Sequence, residues 1–172
     1  MPAGFFGRIL EVDCSAGTFA ERTLAPDLYR SFLGGSGLAA RLLWDALDPD
    51  LDPLAAASPL YLMNGLLAGV AVPAACKVSL CGRSPLTGLW NEASAGGQWA
   101  PRLRGTGYDG IVLRGAASQP RYLLVEGRQA SLRDASELWG LDTFDCWELL
   151  QQRHGPRCAV ACIGPAGERR VL

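Results

Sequence analysis

The sequence predicts an α+β fold with mostly antiparallel or mixed β-sheets. Strand-like segments outnumber helical ones, several come in pairs joined by short turns, and the helices do not alternate regularly with single strands as they would in a βαβ fold. The chain has 172 residues, of which 49% are hydrophobic and 19% charged. This length and composition predict one packed domain over residues 1–172 and argue against disorder.

The first predicted element is a hairpin near the N-terminus. Hydrophobic and polar side chains alternate over residues 9–14. Residues 15–17 (Ser-Ala-Gly) suit a turn, and residues 19–23 suit the returning strand.

Two helices are predicted next. Pro26 suits the first turn of a short helix that ends at Phe32, before Gly34 and Gly35. The second helix follows Ser36, and helical spacing places four leucines on one face: Leu38, Leu42, Leu43 and Leu47. The prolines of residues 48–59 are incompatible with a continued helix, so this segment is predicted to be a loop.

Buried strands dominate the middle of the chain. The segments LYLMNG (60–65) and CKVSLCG (76–82) are rich in apolar residues and are bounded by Gly and Pro. YDGIVLRG (108–115) predicts a further strand. Residues 121–134 predict a hairpin that turns at Gly127.

The C-terminal part predicts one helix and two more strands. The helix is capped by Asp142 or Thr143 and ends at Gly155, which precedes Pro156. RCAVACIG (157–164) has the apolar character of a buried strand, and GERRVL (167–172) predicts another. A chain that stops on an apolar strand residue suggests a domain that is incomplete at its C-terminal end.

Charge and hydropathy exclude several classes of partner. The net charge is −1, and acidic and basic residues are interspersed, so there is no basic stripe for nucleic acid. The N-terminus lacks the pattern of a signal peptide. The longest apolar stretch, residues 66–76, is too short and too rich in Gly and Pro to span a membrane.

The six cysteines do not form a recognisable metal or redox motif. Cys158 and Cys162 are four residues apart and Cys76 and Cys81 five apart, and neither spacing is that of a C-x-x-C site. Buried structural thiols in a reducing, cytoplasmic setting are the favoured interpretation. His154 lies at a predicted helix C-terminus, which favours a capping or solvent-facing role over catalysis.

Two glycine-rich segments could approach a ligand closely. GGSGLAAR (34–41) has the wrong spacing for a dinucleotide-binding turn and follows a helix, so a turn between helices with positive φ is favoured. SPLTGLWNEASAGGQW (84–99) appears too glycine-rich for a strand interior, and a short helix is predicted over residues 98–103. From the residues alone, an ordinary loop and a phosphate-binding loop are equally supported for this second segment.

Several segments in their order resemble the N-terminal domain of the aldehyde ferredoxin oxidoreductase family, the tungsten bis-pterin enzymes. The matching stretches are GRILEVD, FLGGSGLAARLL, DPLAAASPLYLMNGLLAGVAVP, SPLTGLW, ASAGGQWAPRLRGTGYDGIVLRG, RDASELWGLDTF and ACIGPAGE, and they cover nearly the whole chain. The resemblance implies a sandwich of two mostly antiparallel or mixed sheets with outer helices, which serves as a platform for two pterins.

The resemblance also implies the cofactor-binding residues. Lys77, the only lysine of the chain, replaces a family arginine that contacts pterin, so the charge is kept but the bidentate fork is lost. Ser94, Ala95, Gly96 and Gly97 stand where the family has Asn-Ser-Gly-Gly. The hydroxyl of Ser94 is expected to take part in a magnesium bridge between the pterin phosphates, although its reach is shorter than that of Asn.

The implied function is that of a cofactor platform in a tungsten or molybdenum oxidoreductase. The complete enzyme would oxidise aldehydes to carboxylic acids and pass electrons through an iron–sulfur cluster to ferredoxin. Family members are several times longer, and their [4Fe–4S] ligands lie beyond this chain's end. The cluster is therefore expected in a C-terminal remainder or a second subunit, and no catalytic residue can be named. The alternative is a stand-alone, non-catalytic remnant or a cofactor-binding or assembly module.

Overall fold

The computed structural model describes residues 4–171, which form two sheets and five helices. The strands are Arg8–Asp13 (β1), Thr18–Thr23 (β2), Leu60–Asn64 (β3), Val78–Arg83 (β4), Trp90–Ala95 (β5), Gly110–Arg114 (β6), Arg121–Glu126 (β7) and Gln129–Asp134 (β8). The helices are Pro26–Phe32 (α1), Gly35–Asp45 (α2), Trp99–Gly105 (α3), Thr143–His154 (α4) and Gly164–Glu168 (α5).

The larger sheet is mixed, which agrees with the predicted fold class. Its six strands run in the order β2-β1-β6-β3-β4-β5, and of these pairs only β1 and β6 are parallel. The smaller sheet is the antiparallel hairpin of β7 and β8. Both predicted hairpins are confirmed, and Gly127 adopts the positive φ that the β7–β8 turn requires.

Helices α1 and α2 cover one side of the six-stranded sheet. The side chains there form a closely packed core in which each residue is at most 8% exposed. Because neighbouring residues of a strand point to opposite faces, alternate positions of β1, β3 and β6 supply this core. The main members are Ile9, Tyr29, Leu38, Ala39, Leu42, Tyr61, Met63 and Val112.

The other side of the sheet packs against α3 and the β7–β8 hairpin. Leu10, Leu62 and Ile111 point to this side and contact the apolar residues of α3 and the inner residues of the hairpin. A third small core lies between the hairpin and α4, centred on Cys146 and Leu150. The molecule therefore has helices on both sides of the larger sheet, with the small sheet on the side opposite to α1 and α2.

The prediction that Leu47 shares a helix face with Leu38, Leu42 and Leu43 is wrong. Helix α2 ends at Asp45, and Leu47 is 41% exposed, whereas the other three leucines are in the helix and buried. Pro49 accounts for the early end, because a proline in a continued helix would lack the N–H that bonds to the carbonyl of Asp45, four residues earlier, and its ring would clash with that carbonyl.

The view that residues 84–99 are too glycine-rich for a strand is also wrong. Its glycines, Gly88, Gly96 and Gly97, flank the strand β5 rather than interrupt it. β5 is the edge strand and is exposed on every residue, so neither face has the apolar alternation that identifies a half-buried strand. The predicted helix over residues 98–103 is confirmed as α3, shifted towards its C-terminal end.

The two C-terminal strands do not form. Residues 157–163 have no ladder partner among the described residues, and their side chains instead line a cavity beside α4. After them, Pro165 occupies the first turn of α5, a position where its missing N–H costs nothing, so helix replaces the predicted strand. The helix α4 is confirmed, with Asp142 rather than Thr143 as its cap. In the described part of the chain, no helix has the length and apolar character needed to cross a membrane.

Candidate cofactor-binding site

The predicted cofactor residues meet at one end of strands β4 and β5. Val78 pairs with Ala95 in the antiparallel register, which brings Lys77 and Gly96 to opposite positions just beyond the ladder. The backbone oxygen of Lys77 also accepts a hydrogen bond of 3.5 Å from Gly65 N, which follows β3. The end of three neighbouring strands therefore holds Lys77 beside the Ser94–Gly97 segment.

Ser94 lies on the side of the sheet that α2 covers. It stands directly opposite Ser79, and paired residues of an antiparallel ladder point to the same face. Ser79 lies close to Gly35, the first residue of α2: a Cβ atom added to Gly35 would be 3.6 Å from Ser79 Oγ. The Ser79 hydroxyl donates a hydrogen bond of 3.4 Å to Glu92 Oε1. Ser94, Ser79 and Glu92 thus offer two hydroxyls and one carboxylate on the same surface, all of them oxygen donors that suit Mg²⁺.

The segment after β5 leaves its backbone open. Gly97 has a φ of 91°, and a Cβ atom placed there would meet nothing within 4 Å. All residues from Ser94 to Gln98 are exposed, and so is Lys77. A ligand can therefore reach the backbone N–H groups closely, with one cation beside them, and this donor set fits a phosphate.

The turn that precedes β5 is fastened to the domain by Arg83. Its Nε donates to Gly88 O at 2.8 Å, and its Nη1 donates to Leu51 O at 2.7 Å. Gly88 N in turn donates to Ser84 O at 2.8 Å, and Gly88 has the positive φ expected from the sequence. The SPLTG turn thus acts as an anchor for the edge strand.

Asn64 connects the sheet to α3 beneath the glycine-rich segment. Its Nδ2 donates a buried hydrogen bond of 3.0 Å to Ala100 O, in the first turn of α3. Asn64 is 5% exposed, and its Oδ1 has no partner among the described residues. Sequence reasoning did not select Asn64, because it ends an apolar strand and nothing nearby marks it as polar support.

The other candidates from the sequence have structural roles. Gly34 and Gly35 have positive φ, and a Cβ atom at Gly34 would lie 2.9 Å from Asn64 O, so this turn requires glycine for backbone approach. His154 lies in the last turn of α4, where Nε2 is 3.1 Å from Tyr122 Oη. The Gly34–Gly35 turn lies near the site, because Gly34 bridges to Gly65 and Gly35 approaches Ser79, the residue opposite Ser94.

The cysteines form no metal site in the part of the chain that the structure describes. Cys81 and Cys146 are buried, while Cys162 is exposed and the others are half-buried, so the expected burial holds for only part of the set. Burial, together with the charge of Glu92, raises the pKa of the Cys81 thiol to about 12. A thiol with such a pKa stays protonated and unreactive at neutral pH.

Two hollows lie on the side of the sheet opposite to α1 and α2, and the smaller of them borders the site. The larger has a volume of about 530 Å³ and lies between the six-stranded sheet, the β7–β8 hairpin, α4 and residues 157–164. The smaller, about 360 Å³, begins at Gly96 and Gln98 and runs along α3 and α4. Both include Trp99, Arg102 and Arg157 in their walls.

Comparison with known proteins shows to which family this chain belongs. The family profile for the aldehyde ferredoxin oxidoreductase N-terminal domain matches residues 9–172. This chain belongs to that family. The tungsten-containing aldehyde ferredoxin oxidoreductase of Pyrococcus furiosus is 34% identical over 169 residues, covering 98% of this chain and 28% of that protein. The corresponding Thermococcus kodakarensis protein is 33% identical over the same shares.

Other relatives of this chain carry different names. A Pyrococcus furiosus protein described as the WOR-like subunit of an aliphatic sulfonate oxidoreductase is 30% identical over 181 residues, covering 96% of this chain and 29% of that protein. Among solved structures, the active-site complex BamBC of benzoyl coenzyme A reductase with 1,5-dienoyl-CoA matches with a TM-score of 0.96 and 34% identity. That match covers 99% of this chain and 26% of the other. The chain thus spans less than a third of the length of these relatives.

Proposed function

We propose that this chain is the cofactor platform of a tungsten oxidoreductase and binds pterin phosphate at the end of β4 and β5. The observation that carries the proposal is the register of these strands, which puts the cation of Lys77 beside the open backbone of Gly96 and Gly97. Tungsten is favoured over molybdenum because the aldehyde ferredoxin oxidoreductase relatives are described as tungsten-containing.

Each residue of the segment has a separate part in this proposal. The backbone N–H groups of Ala95, Gly96 and Gly97 would donate to phosphate oxygens, and Lys77 would neutralise their charge. The Ser94 hydroxyl, with Glu92 on the same face, would supply oxygen ligands for a magnesium ion that joins two phosphates. The metal–pterin group would supply the redox chemistry, and the platform would fix its position.

The complete protein is proposed to oxidise aldehydes to carboxylic acids. The reaction takes up one water and releases two protons and two electrons, and the electrons would leave through a [4Fe–4S] cluster to ferredoxin. The cluster and the substrate-facing residues belong to a C-terminal remainder or a second subunit, since this chain spans 28% of its relatives. Within the described residues no cysteine cluster could hold the iron.

The test measures the tungsten content of the natively assembled protein after single glycines have been replaced. Gly97→Val is expected to lower the molar ratio of tungsten to protein at least fivefold, because a branched side chain at positive φ shifts the backbone away from the phosphate. Gly127→Val is the matched control. Gly127 also has positive φ and open space at Cβ, but it lies in the β7–β8 turn.

The outcomes separate the proposal from the alternative of a stand-alone remnant or assembly module. Stoichiometric tungsten in the wild type and in Gly127→Val, with loss in Gly97→Val, supports the platform. A wild-type protein without tungsten or a co-purifying iron–sulfur polypeptide supports the remnant, which the replacements at Lys77 and Ser94 favour. Equal tungsten in both glycine variants places the cofactor elsewhere and contradicts the proposal.

A further inference from the structure

Three of the six cysteines line the larger hollow, the cavity of about 530 Å³ beside α4. Cys146 lies near the start of α4, and Cys158 and Cys162 lie in the chain after that helix. Cys146 is buried, Cys158 is half-buried and Cys162 is exposed. The proposed cofactor platform uses none of these thiols, so their presence in one cavity wall needs a separate explanation.

The chain after α4 runs back along the helix and contacts it at both ends. Near the end of α4, the side-chain amide of Gln151 donates a hydrogen bond to Cys158 O. Near its start, a Cβ atom added to Gly164 would lie 2.9 Å from Thr143 Cγ2. The segment between Cys158 and Gly164 is therefore antiparallel to α4 and lies against it.

This antiparallel course places Cys162 beside Cys146. On α4, Cys146 lies one turn after Thr143, and in the returning segment Cys162 lies two residues before Gly164. Val160 packs against the small core that contains Cys146. Burial, and after it the neighbouring thiol of Cys162, raise the pKa of Cys146 to about 11, and the second effect requires the two sulfur atoms to be close.

The two thiols differ in their access to solvent, which gives an oxidation an order. Cys162 is exposed, so a small oxidant reaches it first. Cys146 is 8% exposed, and its raised pKa keeps it mainly protonated at neutral pH. It is therefore suited to the second step, in which its nearness to Cys162 compensates for a small thiolate fraction.

We propose that Cys146 and Cys162 form a reversible disulfide that fastens the chain after α4 to that helix. The co-reactant is a low-molecular-weight disulfide. The Cys162 thiolate attacks one of its sulfur atoms and releases one small thiol, which leaves a mixed disulfide on Cys162. The Cys146 thiolate then attacks the Cys162 sulfur atom and releases the second small thiol. In total the two cysteines lose two protons and two electrons, and the small disulfide takes up both.

This modification site goes beyond the cofactor platform and does not depend on it. The test is anaerobic incubation of the natively assembled protein with glutathione disulfide in mildly alkaline buffer. Free thiols are then alkylated, and the protein is digested with trypsin and analysed by mass spectrometry without reduction. Cleavage after arginine places Cys146 in residues 134–153 and both Cys158 and Cys162 in residues 158–169. These two peptides are expected to be linked, and dithiothreitol should separate them.

Single cysteine variants assign the bond, because Cys158 and Cys162 lie in the same peptide. Cys162→Ser changes an exposed side chain and should reduce the amount of linked peptides at least about tenfold. Cys158→Ser is the matched control in the same cavity wall, and it should leave that amount within about twofold of the wild type. Cys146→Ala should leave Cys162 as a mixed disulfide with glutathione.

Each outcome supports or overturns the assigned pair. Linked peptides in the wild type and in Cys158→Ser, with loss in Cys162→Ser, support it. Glutathione on Cys162 of the wild type without linked peptides would show that Cys146 does not reach it. An unmodified Cys162 would show that the oxidant does not reach it. Linked peptides that survive Cys162→Ser and disappear in Cys158→Ser would assign the bond to Cys158, and each of these three results overturns the proposal.

Hydrogen exchange tests whether the disulfide fastens the cavity wall. A cross-link between α4 and the returning chain restricts local opening of the helix, so amide exchange in residues 146–150 should be at least about tenfold slower after oxidation. Reduction should restore the faster rate, and Cys162→Ser should keep that rate under the same oxidant. Equal rates in the linked and reduced wild type would show that the bond does not fasten the helix.

Discussion

The two sides of the six-stranded sheet differ in how they use their space. On the α1 and α2 side, the core residues are at most 8% exposed and form one closely packed cluster. On the opposite side, the core residues are also at most 8% exposed, but the sheet in addition faces a cavity of about 530 Å³ with a smaller hollow beside it. The two sides therefore differ not in how deeply their core residues are buried but in the open space beside the core, which a ligand can enter.

A buried carboxylate anchors the packed side. Asp109 is 5% exposed and accepts hydrogen bonds from Phe6 N, Gly7 N and Tyr29 Oη at 2.7–2.9 Å. Burial and the nearby Asp109 charge raise the pKa of Tyr29 well above its ordinary value, so its hydroxyl remains a donor. The cluster ties the N-terminal segment to the start of β6 and to α1.

Of the substitutions that test this comparison, Asp109→Ala is expected to reduce stability most. It would leave several buried donors without a partner and should reduce the free energy of unfolding by about 3–5 kcal/mol. Urea denaturation measures this change. Asp50→Ala, at an exposed loop position, should change it by less than about 0.5 kcal/mol. Similar losses for the two variants would contradict the role of Asp109.

Leucine truncations test the contrast between the two sides directly. Leu42→Ala lies in the packed core and should cost about 3–4 kcal/mol. Leu150 lines the existing cavity, so its truncation removes fewer contacts. Leu150→Ala should therefore reduce the free energy of unfolding by about 2 kcal/mol. Leu42 and Leu150 are 1% and 7% exposed, so burial alone does not separate them. Equal costs would show that the open side is packed as well as the other.

Substitutions of Asp142, the N-cap of α4, measure how much the cap stabilises this helix in the wall of the cavity. Asp142 Oδ1 accepts hydrogen bonds from Phe144 N at 2.8 Å and Asp145 N at 2.9 Å. Asp142→Ala should lower the unfolding free energy by about 1 kcal/mol, and Asp142→Asn by less, because Asn also caps well. Equal loss in both variants would mean that the charge, and not the cap, stabilises the helix.

The smallest effect is expected from alkaline pH. The pKa of Cys81 is raised to about 12 in the folded state from an ordinary value near 9, so the unfolded chain loses this proton first. Stability contributed by Cys81 is therefore complete below about pH 9 and decreases as the pH rises towards 12. Cys81→Ala should flatten the decrease between pH 9 and 10 in denaturation curves. An unchanged slope would contradict the burial of a neutral thiol.

Local patterns in the sequence predicted the elements whose partners lie close along the chain. The hairpin of β1 and β2 and the helix α4 with its cap are examples, because alternation and capping are local signals. β5 is no more exposed than the edge strand β2, which was predicted because a short turn joins it to β1; β5 follows β4 after the longer segment 84–89 and escaped prediction. Residues 157–163 were wrongly predicted as a strand, because an apolar run does not show whether a neighbouring strand edge is available.

The residues of the candidate site also fall into those that the sequence identifies and those that only the fold brings together. The register places Lys77 beside the Ser94–Gly97 segment, and the contact of these residues with a cofactor stays a prediction. Asn64 could not be selected, since it ends an apolar strand and only the fold brings it to Ala100 of α3.

The most direct measurement of the central claim is an anomalous difference map at the tungsten absorption edge, from crystals of the natively assembled protein. The platform predicts the strongest peak beside the ends of β4 and β5, with phosphate density at Gly96 and Gly97 and at Lys77. A tungsten peak on another part of the domain, or crystals of the assembled protein without tungsten, would contradict it.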